Sequence, residues 1–317
     1  LMHQYPDYIS GELLSEMLGI SRAAIWKHIK TLRAEGYEIH SVTNKGYALV
    51  TDSMSLNQPV LEELLEPFDQ LDFTYHYDTI DSTNMEAKRM AMVNQNAQGL
   101  VVAAEQTAGK GRMGRVWESK KTEGLWMSLL LRPNVNIEAA PLITLVAATA
   151  MCETLRNLTK LDVQIKWPND LVIHQKKVCG ILTEMSSELD QLHYVVLGLG
   201  LNVSQTAFDE ALKQKATSLY HEGVEVGDKQ ILRQFLEVFF EYYKAYLKGN
   251  VEKVMAFHRL HSATLGKEVR LIDKLGERIV EAFDVDDSGG LIIKNEKKQL
   301  ERIISGEVSV RGLNGYI

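Results

Sequence analysis

The sequence predicts an α+β protein in three parts, and three observations carry that prediction. Two short helical patterns and a glycine-turn hairpin open the chain, strand-like and helical runs alternate from Phe73 onward, and short strands separated by turns follow Leu265. In the middle part, hairpin-like strand pairs outnumber strand–helix–strand crossovers, which favours a mixed sheet over a doubly wound parallel one. Composition places the boundaries so that residues 1–50 form the first part, 51–59 a linker, 60–262 the central part and 263–317 the last.

The composition is that of an ordinary globular protein in a reducing compartment. The 317 residues are 45% hydrophobic and 24% charged, which excludes long disorder, a collagen-like repeat and a coiled-coil rod. The apolar run at 142–151 is shorter than the roughly 18 residues that span a bilayer, so it predicts a buried helix. The two cysteines, Cys152 and Cys179, lie in apolar runs, where we expect them in the core. We therefore predict a cytoplasmic protein without a membrane partner.

The first fifty residues have the pattern of a DNA-binding module. A short helix ends at Gly19, and Ser21 is placed to cap a second helix in which Ile25, Ile29 and Leu32 form one apolar stripe. Because the net charge is -7, contact with DNA would depend on a local basic patch. The residues predicted to make that contact lie at the start of the second helix and on its outer face. They are Ser21, Arg22, Ala23, Lys27, His28 and Lys30, with Arg33 nearby.

A hairpin follows these helices. Strand-like runs at 37–42 and 47–50 flank the turn Asn44-Lys45-Gly46, from which Lys45 can reach a phosphate. Two helices joined at a glycine, a basic outer face and a hairpin together are typical of a winged helix-turn-helix. The alternative is a small packing module whose charged face is merely solvated. The agreement of the cap, the turn glycine and the hairpin favours DNA binding.

The central and last parts have a regular succession of predicted elements. Helices are predicted at 84–92, 139–158 and 230–249. Strands of the central sheet are predicted at 73–77, 100–104, 125–131, 163–167, 170–174, 178–185 and 194–199. In the last part they are predicted at 269–272, 278–285, 291–294 and 301–310, which suggests a small β-barrel.

The segment 105–117, EQTAGKGRMGRVW, carries the most chemical information. Its glycines have the G-x-G-x-x-G spacing, but a strand rather than a helix follows, so a dinucleotide fingerprint is disfavoured. A loop that places Lys110, Arg112 and Arg115 between glycines suits an anion, because backbone amides and arginine forks both bind phosphate. Trp117 could stack on a base or close a pocket. A solvated basic loop is the alternative, and the repulsion among three cations favours phosphate binding.

Three smaller patterns point to the same site. Lys166 begins the run KWPND between two predicted strands, where it can present its charge at a strand end; a plain turn is the alternative. Lys177 precedes an apolar strand and can clamp a carboxylate; a solvated lysine is the alternative. The run GLGLN at 198–202 lets backbone approach a ligand closely, with a β-bulge as the alternative. No spacing of His, Cys, Asp or Glu predicts a metal site, and no Ser-His-Asp or Cys-His set predicts a hydrolase.

Taken in order, these blocks resemble the family of bifunctional biotin protein ligases and biotin operon repressors. The residues that carry the resemblance are DSTN at 81–84, GKGRMGRVW, KWPNDL, KVCGILTEM, GLGLN and the N-terminal ISRAAIWKHIKTLRAEGYEI. The match covers essentially the whole chain. It implies a winged helix-turn-helix, a central mixed-sheet ligase domain and a C-terminal SH3-like β-barrel.

The resemblance also implies a reaction and its partners. Biotin and ATP, with Mg²⁺, would form biotinyl-5′-adenylate, and the biotinyl group would pass to a lysine on the biotin carrier domain of a carboxylase. The protein would also repress biotin genes by binding operator DNA as a homodimer, and we predict that the adenylate promotes that dimer. The alternative is a biotin-sensing repressor without catalysis. A lipoate ligase is a more distant option, which the KWPND and GKGRMGR blocks disfavour.

By the same resemblance, individual residues receive roles. Those that would contact biotin or the adenylate are Ser82, Thr83, Asn84, Gln106, Lys110, Gly111, Arg112, Trp117, Lys177 and Asn202. Arg112, Lys166 and Lys177 would be catalytic, because carboxylate and phosphate are both anionic and their repulsion must be neutralised. The family usually has arginine at the positions of Lys110 and Met113. Lysine keeps the charge at position 110 but loses the planar fork.

Overall fold

Two helices and a hairpin form the N-terminal module, as the sequence predicts. They are α1 (Gly11–Leu18), α2 (Arg22–Ala34), β1 (Ile39–Val42) and β2 (Gly46–Leu49). Gly19 ends α1 in a left-handed conformation with φ of 65°, and Ser21 Oγ accepts a hydrogen bond from the Ala24 amide at 3.2 Å at the start of α2. Ile25 and Ile29 pack in a small core separate from that of the rest of the chain.

The computed structural model describes residues 8–34, 39–43, 45–49, 56–188, 191–273, 276–305, 308–313 and 316–317. Parts of two predictions fall outside these ranges. In the predicted hairpin, Asn44 of the turn and residues 37, 38 and 50 of the strands lie outside the described ranges. In the predicted linker, residues 51–55 lie outside them.

A helix that the sequence did not predict begins inside the expected linker. Helix α3 (Gln58–Leu65) starts after Asn57, whose side chain accepts a hydrogen bond from the Val60 amide at 3.0 Å. Pro59 occupies its first turn, where a missing N–H has no cost. The polar residues and the proline suggested a linker through residue 59, and the short length of the helix hid its apolar face. Helix α3 therefore includes the last two residues of the segment 51–59 that was predicted as a linker.

Within the described ranges, seven strands form the central mixed sheet. They are β3 (Phe73–Tyr77), β4 (Gly99–Ala103), β5 (Gly124–Leu131), β6 (Gln164–Lys166), β7 (Asp170–Ile173), β8 (Lys176–Glu188) and β9 (Gln191–Asn202). Their order is β3-β4-β5-β9-β8-β7-β6, and among these described strands β3 and β4 are the one parallel pair. Helix α4 (Thr83–Val93) follows β3 and makes that crossover. The preference for a mixed sheet is confirmed.

Three further helices cover the sheet. They are α5 (Leu142–Thr159), α6 (Asp228–Tyr246) and α7 (Glu252–Leu260). Helix α5 is long and apolar enough to cross a bilayer by composition, but most of its side chains are buried against α6 and the sheet, as in a core helix. Cys152 of α5 and Cys179 of β8 are both buried and free, as expected.

The last part is a five-stranded antiparallel sheet. Its strands are β10 (Lys267–Asp273), β11 (Gly276–Val285), β12 (Leu291–Lys294), β13 (Leu300–Ile303) and β14 (Ser309–Gly312), in the order β13-β12-β11-β10-β14. The single strand predicted at 301–310 is wrong, because β13 and β14 lie at opposite edges of this sheet. Trp167 joins the sheet to the central part, since its indole N–H donates to the Gly289 carbonyl at 3.0 Å and its amide to Thr264 Oγ1 at 2.9 Å.

Candidate active site

Two adjoining cavities lie beside the central sheet. The large cavity, of about 310 Å³, is bounded by the glycine-rich loop, the turn at 166–170, the end of β9 and the last part of the chain. The small cavity, of about 40 Å³, is bounded by the start of α4, the same loop, and strands β8 and β9. The residues that line both are Gly111, Arg112, Trp117, Asn169 and Lys177. A ligand that extended from one cavity into the other would pass these five residues.

The inner end of the small cavity is polar and uncharged. Ser82, Thr83 and Asn84 are buried at the start of α4. Gln106 Oε1 accepts from the Thr83 amide at 2.8 Å, and Ser128 Oγ lies 2.7 Å from Thr83 Oγ1 and 2.6 Å from Asn84 Oδ1. These bonds hold donors and acceptors in fixed orientations. The arrangement suits a neutral, hydrogen-bonding head group.

Glycines in β9 allow two predicted site residues to lie directly against the sheet. A Cβ on Gly198 would come within 2.0 Å of Asn84 Oδ1, and one on Gly200 within 2.3 Å of Trp117 Nε1. A larger residue at either position would displace these side chains from the cavity. The pairing of β9 is regular with β5 through 198–202 and with β8 through 198–201. The run GLGLN is therefore a site of close approach, and the alternative of a β-bulge is wrong.

Trp117 separates the two cavities. Its ring meets Trp126 edge-on, and Lys177 Nζ lies 4.9 Å from its centroid. Trp117 Nε1 is buried without a hydrogen-bond partner among the described residues. Because an unpaired buried N–H is costly, a ligand acceptor that reached it would stabilise the site. The position is compatible with either role that the sequence suggested, stacking or closure.

The glycine-rich loop is attached to the rest of the site through Arg112. Its Nη1 donates to Asn169 Oδ1 at 2.9 Å, and its Nη2 donates to the carbonyls of Ser305 and Val308 in the last part of the chain. Burial lowers the pKa of the Arg112 guanidinium, and the nearby Asp170 carboxylate opposes that shift. Arg112 therefore connects the loop, across the large cavity, to the turn at 166–170 and to the last part of the chain.

Lys166 and Lys177 flank a single buried carboxylate. Asp170 begins β7; its Oδ1 lies 2.5 Å from Lys177 Nζ, and its Oδ2 lies 4.0 Å from Lys166 Nζ. Burial lowers the pKa of Lys166 to about 7, although Asp170 opposes the shift. Burial alone would raise the pKa of Asp170, but Lys177 and Lys166 together hold it below its usual value. The carboxylate is thus held in its ionised form, and Lys166 gives up its proton more readily than an exposed lysine does.

The structure brings the sequence-predicted ligand residues to these cavities. Those on the small cavity are Ser82, Thr83, Asn84, Gln106, Lys110, Gly111, Arg112, Trp117 and Lys177. Lys166 and Asn202 lie on the large one. Lys110 is exposed, with Nζ 3.5 Å from Met85 Sδ, whereas Asn202 is buried and donates to the Thr217 carbonyl at 2.9 Å.

Several residues of the site were not among the predicted ones. Ser128 is a polar residue within the apolar run LWMSLLL, which was an available signal. Glu184 accepts from Asn84 Nδ2 at 2.8 Å and lies 2.6 Å from Lys88 Nζ. Tyr316, whose hydroxyl donates to Asp170, had no sequence pattern around it.

The predicted DNA-contacting residues form a second, separate set. Ser21, Arg22, Ala23, Lys27, His28, Lys30 and Lys45 are all exposed. Arg33 instead donates from Nε to the Ile39 carbonyl at 2.9 Å and fixes the hairpin to α2. Trp26, which is not among the predicted DNA-contacting residues, is 58% exposed on α2 with Lys30 Nζ 5.7 Å from its ring.

Comparison with known proteins divides the chain in the same way. Residues 77–202 match the biotin/lipoate A/B protein ligase family, residues 1–48 an HTH domain and residues 264–311 the biotin protein ligase C-terminal domain. The chain is 35% identical over 307 residues to the bifunctional ligase/repressor BirA of Bacillus subtilis, covering 96% of this chain and 94% of that protein. It is 31% identical over 316 residues to the protein of that name in Escherichia coli, with the same two coverages.

Solved structures agree with this assignment. A biotin protein ligase from Aquifex aeolicus in complex with biotin and ATP superposes with a TM-score of 0.67 at 30% identity, covering 76% of this chain and all of that one. The resemblance read from the sequence blocks is confirmed over nearly the full length. The chain therefore belongs to the family of bifunctional biotin ligase/repressors.

Proposed function

We propose that this chain joins biotin to ATP across the two cavities and then transfers the biotinyl group to a lysine of a carboxylase carrier domain. The observation that carries the proposal is the junction of the cavities. The small cavity offers uncharged hydrogen-bonding groups, and the cations lie where it meets the large one. A carboxylate reaching out of the small cavity and a phosphate entering from the large one would meet beside Arg112 and Lys177.

The residues at that junction suit attack of one anion on another. A biotin carboxylate oxygen forms a bond to the α-phosphorus while the bond to pyrophosphate breaks. Arg112, Lys166 and Lys177 would neutralise the charge on both groups and hold them in line. In the second step a lysine amine attacks the acyl carbon, and AMP leaves with the bonding electrons. Neither step needs a nucleophilic side chain from the protein.

The small cavity must enlarge to admit a bicyclic head group. Its volume of about 40 Å³ is far below the roughly 300 Å³ at which ligand pockets usually begin. Trp117 is the side chain whose displacement would open it, because its ring lies against Gly200 and its N–H is unpaired. We propose that substrate binding moves Trp117 toward the large cavity, where it can stack on the adenine.

Magnesium would arrive with the nucleotide. The described residues contain no cluster of three or more His, Cys, Asp or Glu side chains that could hold a metal ion. Asp170 is bonded to Lys177 and Tyr316. Mg²⁺ usually binds through substrate phosphates and few protein carboxylates. We therefore assign it to the MgATP substrate and give no residue here the role of a resident ligand.

The N-terminal module supports the repressor role. Its basic residues are exposed on α2 and at the tip of the hairpin, as phosphate and groove contacts require. We propose that the protein acts in the cytoplasm and binds operator DNA as a homodimer that the adenylate promotes. The dimer is testable by sedimentation with and without biotinyl-adenylate; identical assembly states would contradict it.

Pyrophosphate exchange separates the ligase from the alternative of a sensor without catalysis. With biotin, ATP and labelled pyrophosphate, the ligase incorporates label into ATP, and omission of biotin abolishes incorporation. A sensor binds biotin but exchanges no label. Octanoate or lipoate in place of biotin should give no exchange; label incorporated with lipoate alone would favour the lipoate ligase.

A further inference from the structure

Tyr316 reaches from the last part of the chain into the large cavity. Its side chain is largely buried, and its hydroxyl donates to Asp170 Oδ2. The face of its ring covers Lys166, with Nζ 3.6 Å from the ring centroid. Ile317 beside it packs against Val172 of β7. Tyr316 therefore touches both Lys166, which the proposed reaction uses, and the carboxylate beside it.

Asp170 contacts Lys177 and Tyr316 closely but leaves Lys166 beyond hydrogen-bonding distance. Lys177 Nζ lies 2.5 Å from Oδ1, and the Tyr316 hydroxyl occupies Oδ2. Lys166 Nζ stays 4.0 Å from Oδ2, and no hydrogen-bond acceptor binds it within the described chain. The face of the Tyr316 ring attracts the ammonium group electrostatically and takes no proton from Lys166. Lys166 is 4% exposed, so water does little to replace the missing partner.

We propose that Tyr316 is a positioning residue for adenylation, which holds Asp170 and thereby keeps the Lys166 ammonium free for the phosphate. This inference rests on the proposed function. Without the hydroxyl, Asp170 Oδ2 would be open and Lys166 would close the 4.0 Å gap to it. The lysine would then have to break a buried ion pair before it could bind phosphate.

The charges around Lys166 give the proposal a pH signature. Asp170 faces it from β7, Arg311 from β14, Lys177 from β8 and Arg115 from the glycine-rich loop. Burial is the largest influence and lowers the pKa of Lys166 to about 7, and the three cations add to the effect. A tight pair with Asp170 would raise that pKa. Only protonated Lys166 neutralises phosphate, so activity falls where Lys166 loses its proton. Once the tight pair has formed, that loss of activity should occur at a higher pH than in the wild-type enzyme.

Biotin-dependent pyrophosphate exchange across pH tests this in the full-length protein. Tyr316→Phe removes one hydroxyl and keeps the ring. The matched control is Tyr242→Phe, because Tyr242 also donates to a carboxylate, Glu153, but lies on α6 outside both cavities. For Tyr316→Phe we expect kcat to fall about tenfold, as for loss of a hydrogen bond to a charged group. The alkaline limb of kcat/KM for ATP should move to higher pH, with KM for biotin unchanged.

Three outcomes would overturn the proposal. One is a Tyr316→Phe enzyme with the kcat of Tyr242→Phe. Another is a reduced kcat whose alkaline limb has not moved, which is the mark of a merely structural role. The third comes from Asp170→Asn, which removes the carboxylate that Lys166 would pair with. In that background, Tyr316→Phe should lower kcat no further. Losses of kcat that add in the double variant would contradict the mechanism. If the wild-type protein itself shows no exchange, the proposed function fails instead.

Discussion

Two sets of basic residues in this chain differ chiefly in burial, and the difference decides what each can do. In the N-terminal module Lys27, Lys30 and Lys45 are exposed to solvent. At the cavities Lys166 is almost fully buried, and Arg112 is held by three hydrogen bonds. Exposed cations bind a polyanion by many weak, salt-dependent contacts. Lys166 and Arg112 act singly, because each is held in one orientation and its charge is screened less than that of an exposed side chain.

The largest effect should come from Lys166→Met. This change removes one buried cation from the proposed adenylation site and keeps a side chain of similar length. We expect the rate of biotin-dependent pyrophosphate exchange to fall about 100-fold, as for other oriented groups that stabilise developing charge. Binding to a mixed-sequence DNA duplex should not change. Lys248→Met, at an exposed position after α6, is the control. An equal loss of exchange in that variant would show that the position of Lys166 in the cavity is not what makes it important.

Acid should destabilise the buried part of the molecule through His258. This residue of α7 is fully buried, and neither ring nitrogen has a partner among the described residues. Burial lowers the pKa of His258 to about 4, so between that value and about 6.5 the unfolded chain binds the extra proton. The contribution of neutral His258 to the free energy of unfolding is therefore fully present above about pH 6.5. It decreases as the pH falls, by about 2 kcal/mol from pH 8 to pH 5.

His258→Phe tests this linkage, since it keeps a ring and removes the titration. In urea unfolding, the variant should gain about 2 kcal/mol relative to wild type on going from pH 8 to pH 5. If the free energy of unfolding changes with pH in the same way in both proteins, His258 is not the source of the acid destabilisation.

Arg112→Gly should release the intermediate. The arginine connects the glycine-rich loop to Asn169 and to the last part of the chain, and hydrogen bonds to charged groups are each worth about 1.5–3 kcal/mol. We expect biotinyl-adenylate to dissociate at least about tenfold faster and to label lysines of unrelated proteins. Arg115→Gly changes an exposed arginine of the same loop and should have a smaller effect. Equal retention of adenylate in wild type and Arg112→Gly would contradict the role given to the loop.

The smallest effects should come from the exposed set. Lys27→Ala and Lys30→Ala should each weaken binding to any duplex a few-fold and reduce the slope of log affinity against log salt by about 0.9. Exchange activity should stay at the wild-type level. A fluorescence anisotropy titration at several salt concentrations measures the slope. An unchanged slope in both variants would show that these lysines do not contact phosphate.

The sequence was most informative where chemistry and local structure coincide. Arg112, Lys166 and Lys177 could be identified because each lies next to a glycine or at a strand end, and all three reach the cavities. The Tyr316–Asp170 contact joins residues 146 positions apart, and no local pattern encodes such a pair. Helix α3 was missed because polar residues and Pro59 mask its start. The narrow small cavity depends on how Trp117 packs on Gly200, which only the folded structure shows.

The most direct test of the central claim is the mass of a carrier domain after incubation with biotin, ATP and this protein. If Arg112, Lys166 and Lys177 beside the two cavities make and use biotinyl-adenylate, the carrier gains one biotinyl group on a single lysine. With Lys166→Met the gain should be nearly absent over the same time. A carrier of unchanged mass in the presence of wild-type protein that binds both biotin and ATP would contradict the account.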